Sequence, residues 1–135
     1  MGSYLQRKKG KKEVFSEKLL LSWVMQLLMG LEYIHSKHII HRLIDSKNIY
    51  LNHQGDLKIG SFGSAKILEN TMKKAVTVVT APCNMSPEMV QGHPYNAKVD
   101  IWALGCLIYE MTALKVSFGV FSLFIPIPIC LSFTI

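Results

Sequence analysis

His41-Arg42-Leu43-Ile44-Asp45-Ser46-Lys47-Asn48 is the stretch on which the reading of this chain turns. It sets a His, an Arg and an Asn at fixed spacing in a loop that follows the apolar pair Ile39-Ile40. C-terminal to it, Ile49-Tyr50-Leu51 and Leu57-Lys58-Ile59 read as two short strands, with Asn52-His53-Gln54-Gly55-Asp56 as the turn between them. A hairpin there brings Asn48 and Ser61 beside each other at one end of a small sheet. N-terminal to the loop, Ser16 is placed to cap a helix that runs to about Lys37. Leu20, Val24, Leu27, Leu28, Leu31 and Ile34 recur at three- and four-residue spacing and predict its core-facing stripe. From Lys98 to Leu114 the residues are apolar nearly all round, which predicts a fully buried helix rather than an amphipathic one. Asp100 falls in its first turn, where the helix dipole favours a carboxylate.

The eight-residue loop resembles the catalytic loop of protein kinases, H-R-D-L-x-x-x-N, with Leu43 at the Asp position. Three further elements follow in the family's order. Gly60-Ser61-Phe62-Gly63 resembles the D-F-G element with Ser61 in place of the acid, and Met85-Ser86-Pro87-Glu88 resembles the A-P-E element. Asp100-Ile101-Trp102-Ala103-Leu104-Gly105 is similar to the start of the central helix of the large lobe. Ser46-Lys47-Asn48-Ile49, Pro94-Tyr95-Asn96 with Lys98, and Ile101 to Cys106 look most like the NimA-related (Nek) serine/threonine kinases. The resemblance implies a mainly α fold with a short β-hairpin: a protein-kinase-like large (C-terminal) lobe, incomplete, with the small lobe and terminal helices missing. Residues 1–115 are expected to form this partial kinase domain, from a segment just after the hinge to the central buried helix. Residues 116–135 are expected to form a separate apolar tail.

The family's activity is ATP-dependent phosphorylation of protein Ser or Thr with magnesium, and the resemblance assigns roles by position. Phosphoryl transfer is mostly positioning and electrostatics, and four positions that perform it have changed. Leu43 replaces the catalytic base. Asp45 stands where serine/threonine kinases carry a lysine that reaches the phosphate, and so sets a negative charge near a polyanion. Ser61 turns the principal magnesium ligand into a neutral hydroxyl. Ala81 replaces a threonine that bonds the catalytic Asp. A positioned base is worth roughly 10²–10⁴ in rate. Asp45 does not substitute for it, because it lies three residues before Asn48 where the pattern asks for five. Asn48 is the one remaining candidate for nucleotide and metal contact, and a single neutral amide makes a poor magnesium site. No Gly-rich phosphate loop or V-A-I-K lysine precedes His41. ATP and magnesium binding by this chain is therefore expected to be lost.

Other positions keep structural roles. The resemblance has Asp100 accept hydrogen bonds from catalytic-loop amides, and pairs Glu88 with an arginine beyond the end of this chain. His41 and Phe62 are expected to tie the loop to the buried helix, and Gly63 keeps the D-F-G glycine. Residues 64–87 lack sustained periodicity and look like an activation segment, with Thr77 and Thr80 as candidate phosphosites and Arg42 placed to pair a phosphothreonine. The alternative is that both threonines are ordinary loop residues. Three classes stand side by side: a pseudokinase-like module that binds or regulates protein partners, a decayed or mispredicted fragment, and an active Ser/Thr kinase.

Charge and composition add limits. The net charge is +6 over 135 residues, and much of the excess sits in Arg7-Lys8-Lys9-Gly10-Lys11-Lys12. That run reads as a solvated loop ahead of a helix; without aromatic interleaving it implies no nucleic-acid binding. Met1-Gly2 invites a myristoylation reading, which fails because Gln6 stands where Ser or Thr is needed. Cys83, Cys106 and Cys130 form no CxxC pair and point to reduced thiols, in the cytoplasm or nucleus. Val116 to Ile135 carries no charge. Its length suits a transmembrane anchor, but Pro126 and Pro128 would break a helix near its middle. Lys115-Val116-Ser117 is also encodable as AAG-GTA-AGT, an exon end followed by a splice donor, so the tail reads as translated intron, as an irregular apolar tail or as an anchor.

Overall fold

The structure is a computed structural model that describes residues 1–11, 13–69 and 84–115. Thr77, Thr80, Ala81, Cys83 and the tail 116–135 lie outside the described residues. The elements are α1 (Gly2–Lys11), α2 (Glu17–Ser36), β1 (Ile39–Ile40), β2 (Ile49–Leu51), β3 (Leu57–Ile59), a 3-10 turn (Phe62–Ser64), β4 (Lys66–Ile67), α3 (Pro87–Val90) and α4 (Lys98–Ala113). The fold is mainly helical, with β2 and β3 as the short hairpin.

Helix α2 starts where its sequence demands. Ser16 is extended (φ −67°, ψ 145°), and its hydroxyl accepts a hydrogen bond from Leu19 N, satisfying an amide the helix leaves orphaned. The buried face runs through Trp23, Leu27, Leu31 and Ile34. The expected stripe was thus rotated: Val24 is half-buried and Leu28 is exposed, while Trp23 carries the face. The cause is tertiary. Trp23 packs edge-on against Phe15 and Tyr4, and its indole N–H donates to Gly55 O at 3.0 Å. Gln26 Oε1 accepts from Leu57 N at 2.8 Å, so α2 holds the hairpin at two points.

In the hairpin, Ile49 pairs with Ile59 and Leu51 with Leu57, antiparallel. Gly55 takes a positive φ of 91° in the turn, a conformation that favours glycine. A second antiparallel pair, Ile39 with Ile67 and Ile40 with Lys66, joins β1 to β4. It falls in a segment read as aperiodic, because two residues are too few to show an alternation.

The main core gathers Met1, Phe15, α2, the hairpin and α4 around Leu107 and Met111, both fully buried. A smaller cluster of Ile40, Leu68, Met89, Tyr95 and Val99 lies under β1 and β4. Two expectations are corrected here. The basic run 7–11 is helical rather than a loop. Helix α4 is not buried all round: Ile101 and Tyr109 are 46% and 48% exposed. Its buried side faces α2 and, through Val99, the cluster that includes Met89 of α3; apolar composition supplies the tendency to bury but not the partner.

Candidate functional site

Three elements converge on the Asp100 carboxylate, which is wholly buried in the first turn of α4. Its Oδ2 accepts from His41 N at 2.9 Å and its Oδ1 from Arg42 N at 2.8 Å. His35 Nε2, from the last turn of α2, lies 2.8 Å from the same Oδ2. A buried carboxylate without partners is very costly; here each oxygen has at least one. The arrangement fixes the start of the loop against both helices. It also holds Arg42 at φ 66°, in left-handed backbone that arginine rarely adopts.

From that anchor the loop folds on itself. The buried His41 ring faces Gly60 O through Nε2 at 2.8 Å, while its Nδ1 accepts from Leu43 N at 3.3 Å. A carbonyl only accepts, so these two contacts assign the ring its Nε2–H tautomer. Asn48 Nδ2 donates across the loop to Leu43 O at 3.1 Å. Asn84 Nδ2 donates to Ile44 O at 3.1 Å and pins the loop from its far side. Arg42 sends Nε to Ser64 O at 2.6 Å and Nη1 to the Tyr95 hydroxyl at 3.1 Å.

Asp45 Oδ1 accepts from Lys47 N at 2.7 Å and Asn48 N at 2.9 Å, so its carboxylate closes its own turn. Leu43 presents a half-buried hydrocarbon where a base would stand. Gly60 N donates to Asn48 O at 3.0 Å, which sets Asn48 and Ser61 at one end of the hairpin. The amide nitrogen of Asn48 is committed to Leu43 O, and Ser61 Oγ lies 3.4 Å from Tyr50 OH. The Tyr50 ring covers Gly60 so closely that an added Cβ would lie 2.6 Å from Cε2. Among the described residues no group of three His, Cys, Asp or Glu side chains is placed to hold a metal. Asn48 and Ser61 offer one amide oxygen and one neutral hydroxyl, which carry no charge for a hard divalent cation.

Phe62 stacks edge-on against His41 at 4.7 Å and is 44% exposed. The backbone N–H of His41 ties the loop to α4 through Asp100. A Cβ on Gly63 would meet nothing within 4 Å, so no packing requires glycine there. Glu88 sits in the first turn of α3 with no basic partner among the described residues. His35 and Asn84 were not singled out from sequence, and Tyr95 only as part of the Nek-like stretch Pro94-Tyr95-Asn96. Their partners lie 65, 40 and 53 residues away, and no local pattern announces contacts at that range.

The protein kinase domain family matches residues 1–121. Serine/threonine-protein kinase Nek3 of Mus musculus is 44% identical over 115 residues, 84% of this chain and 22% of that protein. Nek4 of Mus musculus is 41% identical over 116 residues, 86% of this chain and 15% of that protein. Nek5 of Homo sapiens is 46% identical over 103 residues, 76% of this chain and 14% of that protein. The chain thus spans less than a quarter of the length of these relatives. With its loop, its hairpin and its Asp100 anchor in the matched region, the chain belongs to the protein kinase domain family, and its relatives are Nek serine/threonine kinases.

Proposed function

We propose that this chain is a large-lobe portion of a Nek-type kinase domain that no longer transfers phosphate and acts as a pseudokinase-like protein-binding or regulatory module. One observation carries the reading. The loop is held by Asp100 and Asn48 as a rigid scaffold, while the groups that would do chemistry on it are a leucine, a serine and a carboxylate turned into its own backbone. Catalysis of this kind needs preorganised charge at the transferring phosphate. Here the positions that orient the loop are kept and the charge is lost. Partners of such a module are proteins, in cytoplasm or nucleus, with no nucleic acid, and membrane contact belongs only to the alternative reading of residues 116–135 as an anchor. No helix among the described residues is long and apolar enough to cross a membrane. ATP and magnesium remain the family's cofactors and are not ones this chain retains.

The test is direct. Thermal unfolding of the chain with millimolar magnesium-ATP is expected to show no rise in Tm, since a ligand bound at a hundredfold excess over its Kd stabilises by about 2.7 kcal/mol and would be plain. Incubation with labelled ATP and a generic Ser/Thr substrate is expected to give no transfer above that of buffer. A saturable Tm rise, or transfer abolished by Asn48→Ala, would overturn the reading. A second reading, a decayed gene fragment, is favoured by the uncharged tail Val116–Ile135. Stop codons or the lack of any upstream kinase exons would support it, and a full-length transcript with an intact small lobe would count against it.

A further inference from the structure

A cavity of about 180 Å³ opens where the end of α2, β1, the end of β4 and the start of α4 meet. Its walls are largely apolar and include Ile39, Ile40, Leu68 and Ala97. An apolar cavity of about 150 Å³ is enough to hold benzene, so this one takes a single ring with a small substituent. His38 also stands in the wall, and it is the costly residue there. It takes φ 59°, left-handed backbone that glycine adopts freely and other residues seldom do. Its backbone serves the fold: the N–H donates to His35 O at 2.9 Å, and the carbonyl accepts from Leu68 N at 2.8 Å. Glycine would make both bonds without the strain. The ring adds a second cost, because its Nδ1 is buried with no hydrogen-bond partner among the described residues. Neither cost is required by the turn, so the side chain answers to something else, and what it borders is the cavity.

Charge at the cavity edge narrows the ligand. Lys98 lines the cavity with a solvent-exposed side chain, and its N–H donates to Asn96 Oδ1 at 2.9 Å, which fixes the turn that sets it there. None of the residues that line the cavity is acidic. Asp100, two residues on, is fully buried and engaged with the His41 and Arg42 amides. Apolar walls, a heteroaromatic wall residue and a cation at the edge select a ligand that is flat, apolar and anionic at one end. We propose that the cavity is a binding site for a small aromatic carboxylate, its ring against His38, Ile39 and Leu68 and its carboxylate on the Lys98 ammonium. The site goes beyond the binding-module reading and does not depend on whether the chain transfers phosphate. It borders the anchor of the loop, because His35 lines the cavity and lies 2.8 Å from Asp100 Oδ2.

Heteronuclear NMR titration of the full chain with sodium benzoate, at constant ionic strength, tests it. Saturable shifts are expected at the His38, Leu68 and Lys98 amides, with a midpoint of about 1 mM, as suits a ligand of that size. Benzyl alcohol, with the ring but no charge, is expected to bind about threefold more weakly, the scale of one exposed ion pair. Acetate, with the charge but no ring, is expected to give no saturable shift. Lys98→Met is expected to bring benzoate down to the level of benzyl alcohol. His38→Gly is expected to weaken benzoate severalfold while Tm stays at or above that of the parent, a combination that misfolding does not produce. Absence of saturable benzoate shifts at these amides would overturn the proposal. So would benzyl alcohol or acetate binding as tightly as benzoate, or a benzoate midpoint unchanged in either variant.

Discussion

Asp100 accepts from two backbone amides and meets His35 with no solvent exposure of its own. Water cannot replace what it supplies, so Asp100→Ala strands His41 N, Arg42 N and the His35 ring together. The expected loss is on the order of 3–5 kcal/mol, the range for breaking a buried charged network from one side, measured as a lowered urea midpoint. Asp100→Asn keeps one acceptor oxygen and is expected to lose less, about 1–3 kcal/mol for a single unsatisfied group. Equal losses in the two variants would mean that the charge, and not the acceptor geometry, holds the loop. Of this centre, the sequence disclosed Asp100, His41, Arg42 and Asn48, because motif spacing records ancestry at single positions. It did not disclose His35 or the bond from Arg42 to Tyr95, which join the centre only because α2 and the segment before α4 are packed beside it.

Helices and strands add a second kind of evidence. Ser16 and the apolar period of α2 were legible because capping and periodicity are local. The rotation of its buried face toward Trp23 was not, since a stripe about 100° wide admits more than one centre, and the contact with Gly55 O decides between them. Trp23→Phe keeps the ring but removes that hydrogen bond, and is expected to lower stability by about 1 kcal/mol and to speed amide exchange in the 52–56 turn. Stability loss without faster exchange would show that Trp23 acts only through packing. In α1, the ion pair of Lys8 with Glu13 contributes across a definite window. Glu13 is held below its ordinary value of 4.5, so the contribution is complete above 4.5 and is lost as pH falls through the lowered value. Lys8 is held above its ordinary 10.5, so the contribution is complete below 10.5 and is lost as pH rises further. NMR titration of the Glu13 carboxyl is expected to return toward 4.5 in Lys8→Ala; an unchanged titration would show that the pair is not formed in solution.

At the scale of the whole molecule, apolar side chains stand open on two helices. Leu21, Met25, Met29 and Tyr33 of α2 are each more than half exposed, as no buried face of the described residues reaches them, and Ile101 and Tyr109 of α4 are close to half exposed. Contiguous apolar surface of this kind drives association. The chain is expected to self-associate at micromolar concentration, and Leu21→Lys with Met25→Lys to suppress that without lowering Tm, read by light scattering and by thermal unfolding. A monomeric parent chain would show that this surface is covered in solution.

The sequence by itself determined membership of the kinase family, the order of helix, loop, hairpin and helix, and which chemical groups the loop lacks. Each of these is a property of residue identity at fixed spacing, and Leu43 and Ser61 declare their loss of charge wherever the chain places them. Only the tertiary structure decided that Asp45 spends its carboxylate on Lys47 N and Asn48 N, that Asn48 Nδ2 bonds Leu43 O while Ser61 Oγ lies beside Tyr50 OH, and that Phe62 stays half in solvent. Those are choices among partners brought together by packing, and a hydrogen bond is directional over about 3 Å, a scale that residue spacing along the chain does not resolve.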